Sequence, residues 1–189
     1  MSRATIKNVQ TQRDIIIQCQ AGNKEAFRWV VQQHQRLVFS VALKMLADEE
    51  EAKDVVQETF IRAWQRISDY NPQKPLTTWL YAIASRLCLD HLKRTRRVVP
   101  LPEDESVLQR FADGDSQRTL ESSEWVAIVR MLADGLSAKQ KLVFTLCQLE
   151  GLPSAEVEQI TGMDARQVKS NLYVARQTIR KRLIQLGYE

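Results

Sequence analysis

Apolar residues recur at helical spacing in two blocks of the chain, residues 10–97 and 125–187. The clearest run lies between Asp48 and Ile67, where apolar residues return every third or fourth position behind an aspartate that can cap a helix. Only 6 Gly and 5 Pro interrupt 189 residues, about half the usual share, so few turns break these runs. The pattern predicts an all-α fold.

Turn and capping signals divide the first block into four predicted helices. The first ends at Gly22, the second is capped by Asn23, and the third is the Asp48 helix. Two prolines predict a loop over Tyr70–Pro75, since proline removes a backbone donor and disfavours helix in the residue before it. A fourth helix resumes near Thr77 and ends in a basic cluster.

Residues 98–124 differ from both blocks. They contain two prolines, a glycine, several serines and seven acidic residues against two arginines, a net charge of −5. This composition predicts an acidic linker between two small helical domains, 10–97 and 125–187. Three apolar residues, Val107, Leu108 and Phe111, leave room for a short helix inside the linker.

The last block predicts a helix-turn-helix. Ser154 can cap a short helix, Gly162 can supply a left-handed turn, and Asp164 can cap the helix that follows. From Asp164 to Arg182 the chain has six basic residues and one acid, so the second helix could enter a DNA major groove. A solvated basic helix would have a similar charge. The polar face of this second helix contains Arg166, Lys169, Ser170, Tyr173, Arg176 and Arg180.

Two other helices carry distinctive surfaces. The Thr77–Arg97 helix combines aromatic residues with cations, which suits a separated DNA strand whose bases stack on rings. We expect Trp79 to be a core residue and Tyr81 to be the exposed stacking residue. The Asp48 helix begins with an acidic stretch that DNA would not favour, so its polar face suits another protein's helix.

Several classes of function are not indicated. The chain has two histidines, His34 and His91, and no nucleophile elbow, phosphate-binding loop or zinc-protease motif, so an enzyme is not expected. Three cysteines lie far apart without CxxC spacing, which indicates neither a disulfide framework nor a metal site. No apolar run reaches about 18 residues and the first ten residues lack a signal-peptide core, so we expect a cytoplasmic protein. Because catalytic and metal-binding motifs are not found, we expect neither a cofactor nor a small-molecule substrate.

Three ordered motifs carry a family resemblance: EAKDVVQETFIRAW from Glu51, TWLYAIASRLCLDH from Thr78, and VKSNLYVAR from Val168. Together they resemble a bacterial sigma factor of the extracytoplasmic-function group. The resemblance implies a factor that binds core RNA polymerase and directs it to promoters, with the acidic linker threading toward the polymerase active-site channel. It also implies control by an anti-sigma factor, commonly a membrane-anchored one.

The resemblance assigns roles to three sets of residues. The polymerase-binding set is Asp54, Gln57, Glu58 and Arg62. The set for the melted minus-10 element is Asn71, Lys74, Thr77, Thr78, Tyr81, Ser85 and Arg86. The set for the minus-35 duplex is Arg166, Lys169, Ser170, Tyr173 and Arg176.

The sequence departs from the family pattern at two places. Ser85-Arg86 stands where members often have Arg-Asn, and Glu158 stands where they favour alanine, so its charge must reach solvent or tilt the helix. Two other readings of the chain are open. A helical adaptor or antagonist that holds polymerase or RNA would keep the Asp54 surface without a preference for duplex sequence. A repressor with one helix-turn-helix is the other reading, but it assigns no function to the Asn71–Arg97 segment.

Overall fold

The computed structural model describes residues 3–98 and 135–185, with side chains over 12–94 and 135–185. Every regular element in those ranges is helical, and the helices form two domains. The first domain contains α1 (Arg3–Gln20), α2 (Lys24–Leu46), α3 (Glu49–Arg66), a short 3-10 turn (Ile67–Asp69) and α4 (Leu76–Val98). The second contains α5 (Ala138–Phe144), a π-helical turn (Thr145–Leu149), α6 (Ser154–Thr161) and α7 (Ala165–Gln185).

Side-chain caps fix most helix starts where the sequence predicts them. Asn23 accepts hydrogen bonds from the backbone N–H groups of Glu25 and Ala26, and Asp48 accepts one from Glu51. Asp164 accepts a 2.7 Å bond from the Gln167 N–H, satisfying an amide at the start of α7 that has no partner within the helix. The prediction for α6 is wrong in detail.

The start of α6 differs because Pro153 occupies its N-cap position and makes no side-chain cap bond. Ser154 is then the first helical residue rather than the cap. Helix α1 begins at Arg3, before the periodic block that starts at residue 10, since its polar first turns carry little apolar periodicity.

The core of the first domain lies between α2, α3 and α4, and that of the second lies under α7. Leu80 of α4 and Leu146 of the π-helical turn are both fully buried. The buried apolar residues of the two domains form one continuous cluster, because α6 packs across α4.

Two sequence predictions concern parts of the chain that the structure does not describe. The acidic linker, apart from Val98 at the end of α4, and the predicted helix that opens the last block lie outside the described residues. Within residues 3–98 and 135–185, no helix combines the length and apolar character needed to cross a bilayer.

Candidate functional site

The exposed face of α3 brings the predicted polymerase-binding residues together. Asp54 and Gln57 are exposed, while Glu58 and Arg62 are half-exposed and form an ion pair of 2.6 Å one helical turn apart. The opposite side of the helix is buried against α2 and α4. Ile61, at 42% exposure, adds an apolar residue to the polar face. Such a mixed surface suits a partner helix.

The loop between α3 and α4 is held by hydrogen bonds from several directions. The Tyr70 hydroxyl donates to the carbonyl of Lys74 across the loop. The amide of Gln20, on α1, donates to the carbonyls of Ile67 (2.9 Å) and Tyr70 (2.8 Å). Asn71 accepts from the backbone N–H of Gln73 at 2.9 Å, which forms an Asx turn. The loop therefore presents Asn71 and Lys74, both exposed, from a fixed backbone.

The ring of Tyr70 also packs against α4. Its ring lies 4.6 Å from that of Trp79, centroid to centroid, with 31° between the planes. Burial raises the pKa of the Tyr70 hydroxyl to about 12. Trp79 is half-buried in this pair and packs on the core, close to the expected core position.

Two predicted DNA-binding residues of α4 are buried. Tyr81 is 4% exposed, so the expectation that it is exposed is wrong for this conformation. Ser85 is 2% exposed, and its hydroxyl has no hydrogen-bond partner among the described residues. Thr77 and Thr78 are half-exposed and Arg86 is exposed.

The second domain covers Tyr81. Its hydroxyl donates a 3.1 Å hydrogen bond to Glu150, which also accepts from the Ser40 hydroxyl (2.8 Å) and pairs with Lys44 (2.6 Å). Burial, and then the negative charge of Glu150, raise the pKa of the Tyr81 hydroxyl. Thr78 donates a 2.7 Å hydrogen bond to Glu156 of α6.

A three-residue turn joins α6 to α7. Gly162 adopts φ +70°, and the Thr161 hydroxyl accepts from the Met163 N–H at 3.2 Å, so the chain changes direction within one short segment. Val157 and Val168 are buried on the inner sides of the two helices. The compact turn and shared apolar contact fix the direction of α7.

The outer face of α7 carries the predicted minus-35 residues. All of them are exposed, and Tyr173 is 63% exposed. The buried residues Val168, Ala175 and Ile179 lie on the opposite face. Arg176 donates a 3.1 Å hydrogen bond to Gln148, which restrains its guanidinium. These exposed residues are Arg166, Lys169, Ser170, Tyr173 and Arg176.

The sequence does not predict the hydrogen bonds by which two acids of the second domain, Glu150 and Glu156, contact the first domain. No motif or periodicity in the sequence singles out Glu150, Glu156 or Lys44. Their partners lie 69 to 110 residues away in sequence, and no periodicity marks such a pairing. The role of Gln20 in holding the loop is equally unmarked. Within the described part of the chain, no group of three potential metal ligands occurs.

Comparisons with known proteins match both domains. Residues 30–98 match the family model Sigma-70 region 2, and residues 127–179 match Sigma-70, region 4. An ECF RNA polymerase sigma-E factor of Haemophilus influenzae is 29% identical over 181 residues, covering 92% of this chain and 95% of that protein.

Two solved structures share the fold. The structure of CnrH in complex with the cytosolic domain of CnrY has a TM-score of 0.69 at 22% identity, covering 92% of this chain and 97% of that one. The sigma factor RpoE from Bartonella quintana, solved in complex with the anti-sigma factor NepR, has a TM-score of 0.59 at 20% identity and covers 83% of this chain and 96% of its own. The chain belongs to the extracytoplasmic-function group of sigma-70 factors, non-enzymatic initiation factors that direct RNA polymerase to promoters.

Proposed function

We propose that the two domains, residues 10–97 and 125–187, recognise different forms of promoter DNA. The second domain reads the minus-35 element as duplex through α7, and the first captures the minus-10 element as a melted strand. The observation that carries this proposal is the exposed basic face of α7, opposite its buried stripe and directed by a tight turn.

Position along α7 separates base reading from phosphate binding. Arg166, Lys169 and Ser170 lie in the first two turns, which helix-turn-helix proteins present to base edges. Tyr173 and Arg176 follow on the same face. Arg180, further along, reaches the backbone and contributes charge neutralisation without reading sequence.

The proposed minus-10 surface combines the fixed loop with α4. Asn71 and Lys74 of the loop and Arg86 of α4 are exposed donors that suit phosphates and base edges. Thr77, Thr78, Tyr81 and Ser85 belong to the same proposed surface. A tyrosine ring offers a stacking platform for an unpaired base once the second domain moves away.

The exposed face of α3 is the proposed contact with core RNA polymerase. Its carboxylates, Asp54 and Glu58, repel phosphate and therefore separate this surface from the DNA-binding ones. Gln57 and Arg62 add donors that a partner helix can satisfy.

We also propose an anti-sigma factor as a further partner, acting in the cytoplasm and commonly anchored in the membrane. The support is the fold shared with Bartonella RpoE, which was solved with an anti-sigma factor. The sequence carries no signal for its identity.

The test of the proposal compares α7 variants on a complete set of minus-35 sequences. Arg166→Ala and Lys169→Ala should lose about 1 to 3 kcal/mol of discrimination at particular base pairs. Arg180→Ala should weaken all sequences alike and reduce the salt dependence of binding by about one phosphate contact. If Arg180→Ala changes the preferred bases and Arg166→Ala does not, the first two turns of α7 do not read the bases and the proposed docking is wrong.

A further inference from the structure

The first helix contacts the loop that carries two of the proposed minus-10 residues. The amide of Gln20, the last residue of α1, donates to the backbone carbonyls of Ile67 (2.9 Å) and Tyr70 (2.8 Å). The Arg13 guanidinium, also on α1, donates to the side chain of Gln73 inside the loop. Two side chains of one helix therefore hold the loop at two points.

These two side chains lie on one face of α1 because of their spacing. Arg13 and Gln20 are seven residues apart, which is about two helical turns and about 10 Å along the axis. Ile16 and Cys19 of the same helix are each 1% exposed and anchor it on the core. The turn that follows is closed by the Gly22 N–H, which donates to the Cys19 carbonyl at 2.9 Å. The positions of both donors are thus set by the packing of α1 within the first domain.

The Gln20 amide caps the end of the 3-10 turn Ile67–Asp69. The last carbonyls of a helical turn have no N–H partner within it. Three carbonyls, those of Ile67, Ser68 and Tyr70, lie 2.8 to 3.5 Å from the Gln20 nitrogen. The bonds to Ile67 and Tyr70 are partly buried, and a carbonyl that is left unpaired away from bulk water is unfavourable. The loop therefore depends on a donor at position 20.

The same contacts extend to the residues that are proposed to meet the minus-10 strand. The Asn71 side-chain oxygen accepts from the Gln73 N–H at 2.9 Å, and the Lys74 N–H donates to the Asn71 carbonyl at 3.0 Å. Gln73 is also the residue that Arg13 holds. The carbonyl of the residue before Asn71 is one that Gln20 holds. The exposed residues Asn71 and Lys74 are therefore fixed relative to α1.

We propose that Gln20 is a positioning residue for minus-10 recognition: it holds the loop between α3 and α4 in the shape in which Asn71 and Lys74 meet the strand. The inference rests on the proposed function of those two residues. Arg13 adds a second, exposed hold on the same loop.

The physical basis is preorganisation. A loop already held in its binding shape loses less conformational freedom when DNA binds. Without the Gln20 bonds, the apparent affinity for a preferred strand falls in proportion to the fraction of molecules whose loop has that shape. A strand that the loop does not read is unaffected, so the loss of Gln20 reduces discrimination between bases.

Selection on partly single-stranded DNA, with the chain bound to core RNA polymerase, tests the proposal. The probe is a fork DNA with a randomised non-template overhang, and sequencing the bound and unbound DNA gives the base preference at each position. Gln20→Met keeps the size of the side chain without its donor. It should reduce discrimination about fivefold at the positions that the loop reads, as expected if the loop keeps its shape about one-fifth of the time. Gln20→Glu, which also lacks the donor, should do the same, and Arg13→Met should have a smaller effect at the same positions.

Gln18→Met is the matched control. Gln18 lies in the same last turn of α1, is exposed, and accepts from the Asn23 side chain at 3.3 Å within the turn between α1 and α2. Its replacement should leave every base preference unchanged, and circular dichroism should show the same helix content in all variants. An equal loss of discrimination in Gln18→Met and Gln20→Met would overturn the role of Gln20.

Amide hydrogen exchange of the full chain supplies a readout without DNA. The N–H groups of Gln73 and Lys74 should exchange at least about fivefold faster in Gln20→Met, while those in the middle of α3 and α4 should exchange as in the wild type. Unchanged exchange in the loop would overturn the proposal. Equal acceleration throughout the first domain would also overturn it, because Gln20 would then act on stability alone.

A loop stripped of its reading side chains, Asn71→Ala with Lys74→Ala, separates this role from the proposed function. Adding Gln20→Met to the stripped loop should cause no further loss of discrimination, since effects that pass through the same groups are not additive. A further loss would overturn the role of Gln20. Loss of discrimination in the stripped loop, with none in Gln20→Met, would overturn that role and leave the proposed function standing. Full discrimination in the stripped loop would overturn the minus-10 function of the loop, and the role of Gln20 with it.

Discussion

The hydroxyl of Tyr81 lies 3.1 Å from a carboxylate oxygen of Glu150, although 69 residues separate them. The aromatic residue that we propose as a stacking platform for an unpaired base is thus bonded to an acidic residue of the other domain. An acid at this place occupies the tyrosine hydroxyl and repels phosphate. The same contact therefore holds the Tyr81 side chain against the second domain.

Removing the Tyr81 ring should impair strand capture in the open promoter complex. With core RNA polymerase, Tyr81→Ala should cost about 1 to 3 kcal/mol if a base stacks on the ring, and permanganate reactivity of minus-10 thymines should fall. Tyr81→Phe keeps the stacking surface and loses only the hydroxyl, so it should footprint as the wild type does. Normal thymine reactivity in Tyr81→Ala would count against the stacking role.

Charge reversal on α3 should weaken binding to core polymerase. Asp54→Lys and Glu58→Lys alter the exposed acidic face, while the buried stripe that folds the domain is untouched. Each should raise the Kd measured by fluorescence anisotropy at fixed salt.

A matched control exists on α2. Glu25 forms an exposed ion pair with Arg28 within its helix, as Glu58 does with Arg62. Glu25→Lys removes an ion pair of the same kind and also a first-turn acid, so it should disturb helix electrostatics at least as much and leave polymerase affinity unchanged. Equal losses of affinity in Glu25→Lys and Glu58→Lys would remove the assignment of the α3 face.

Local signals in the sequence account for much of the fold. Asn23, Asp48 and Asp164 cap the helices that the periodicity predicts, because caps and apolar stripes act within one or two turns. The exposed face of α7 follows from the same periodicity. The burial of Tyr81 does not, since it depends on a second domain whose position no local pattern encodes.

Gly162 should be sensitive to substitution for a backbone reason alone. It holds φ +70°, and an added Cβ would meet no atom within 4 Å, so Gly162→Ala carries conformational strain without a clash. The expected loss is about 1 kcal/mol of unfolding free energy by urea denaturation. Ser154→Ala, at the first residue of α6, makes no cap bond and should be nearly neutral; a loss equal to that of Gly162→Ala would contradict this explanation.

The three cysteines should differ in reactivity. Cys19 and Cys88 are 1% and 0% exposed, while Cys147 is half-buried. Ellman's reagent should therefore titrate at most one thiol rapidly in the native protein and three in guanidinium chloride. Two or three fast thiols without denaturant would show that the core is not packed as described.

Alkaline pH should destabilise the protein partly through Cys88. Burial raises the pKa of its thiol from 9.0 to about 12. The unfolded chain releases this proton above pH 9 and the folded chain only near pH 12, so stability is lost as pH rises between these values, by up to about 1.4 kcal/mol per unit. Urea denaturation from pH 8 to 11 should show a shallower decline for Cys88→Ala than for the wild type; an identical decline would contradict this source of pH dependence.

Transcription from a genomic DNA library, with purified core RNA polymerase alone or with this chain, tests the central claim most directly. Sequencing the 5′ ends of the RNA should reveal start sites that require the chain and share two upstream elements. Arg166→Ala should relax selection at the minus-35 element and leave the minus-10 element unchanged. Start sites that are the same with and without the chain would contradict the account.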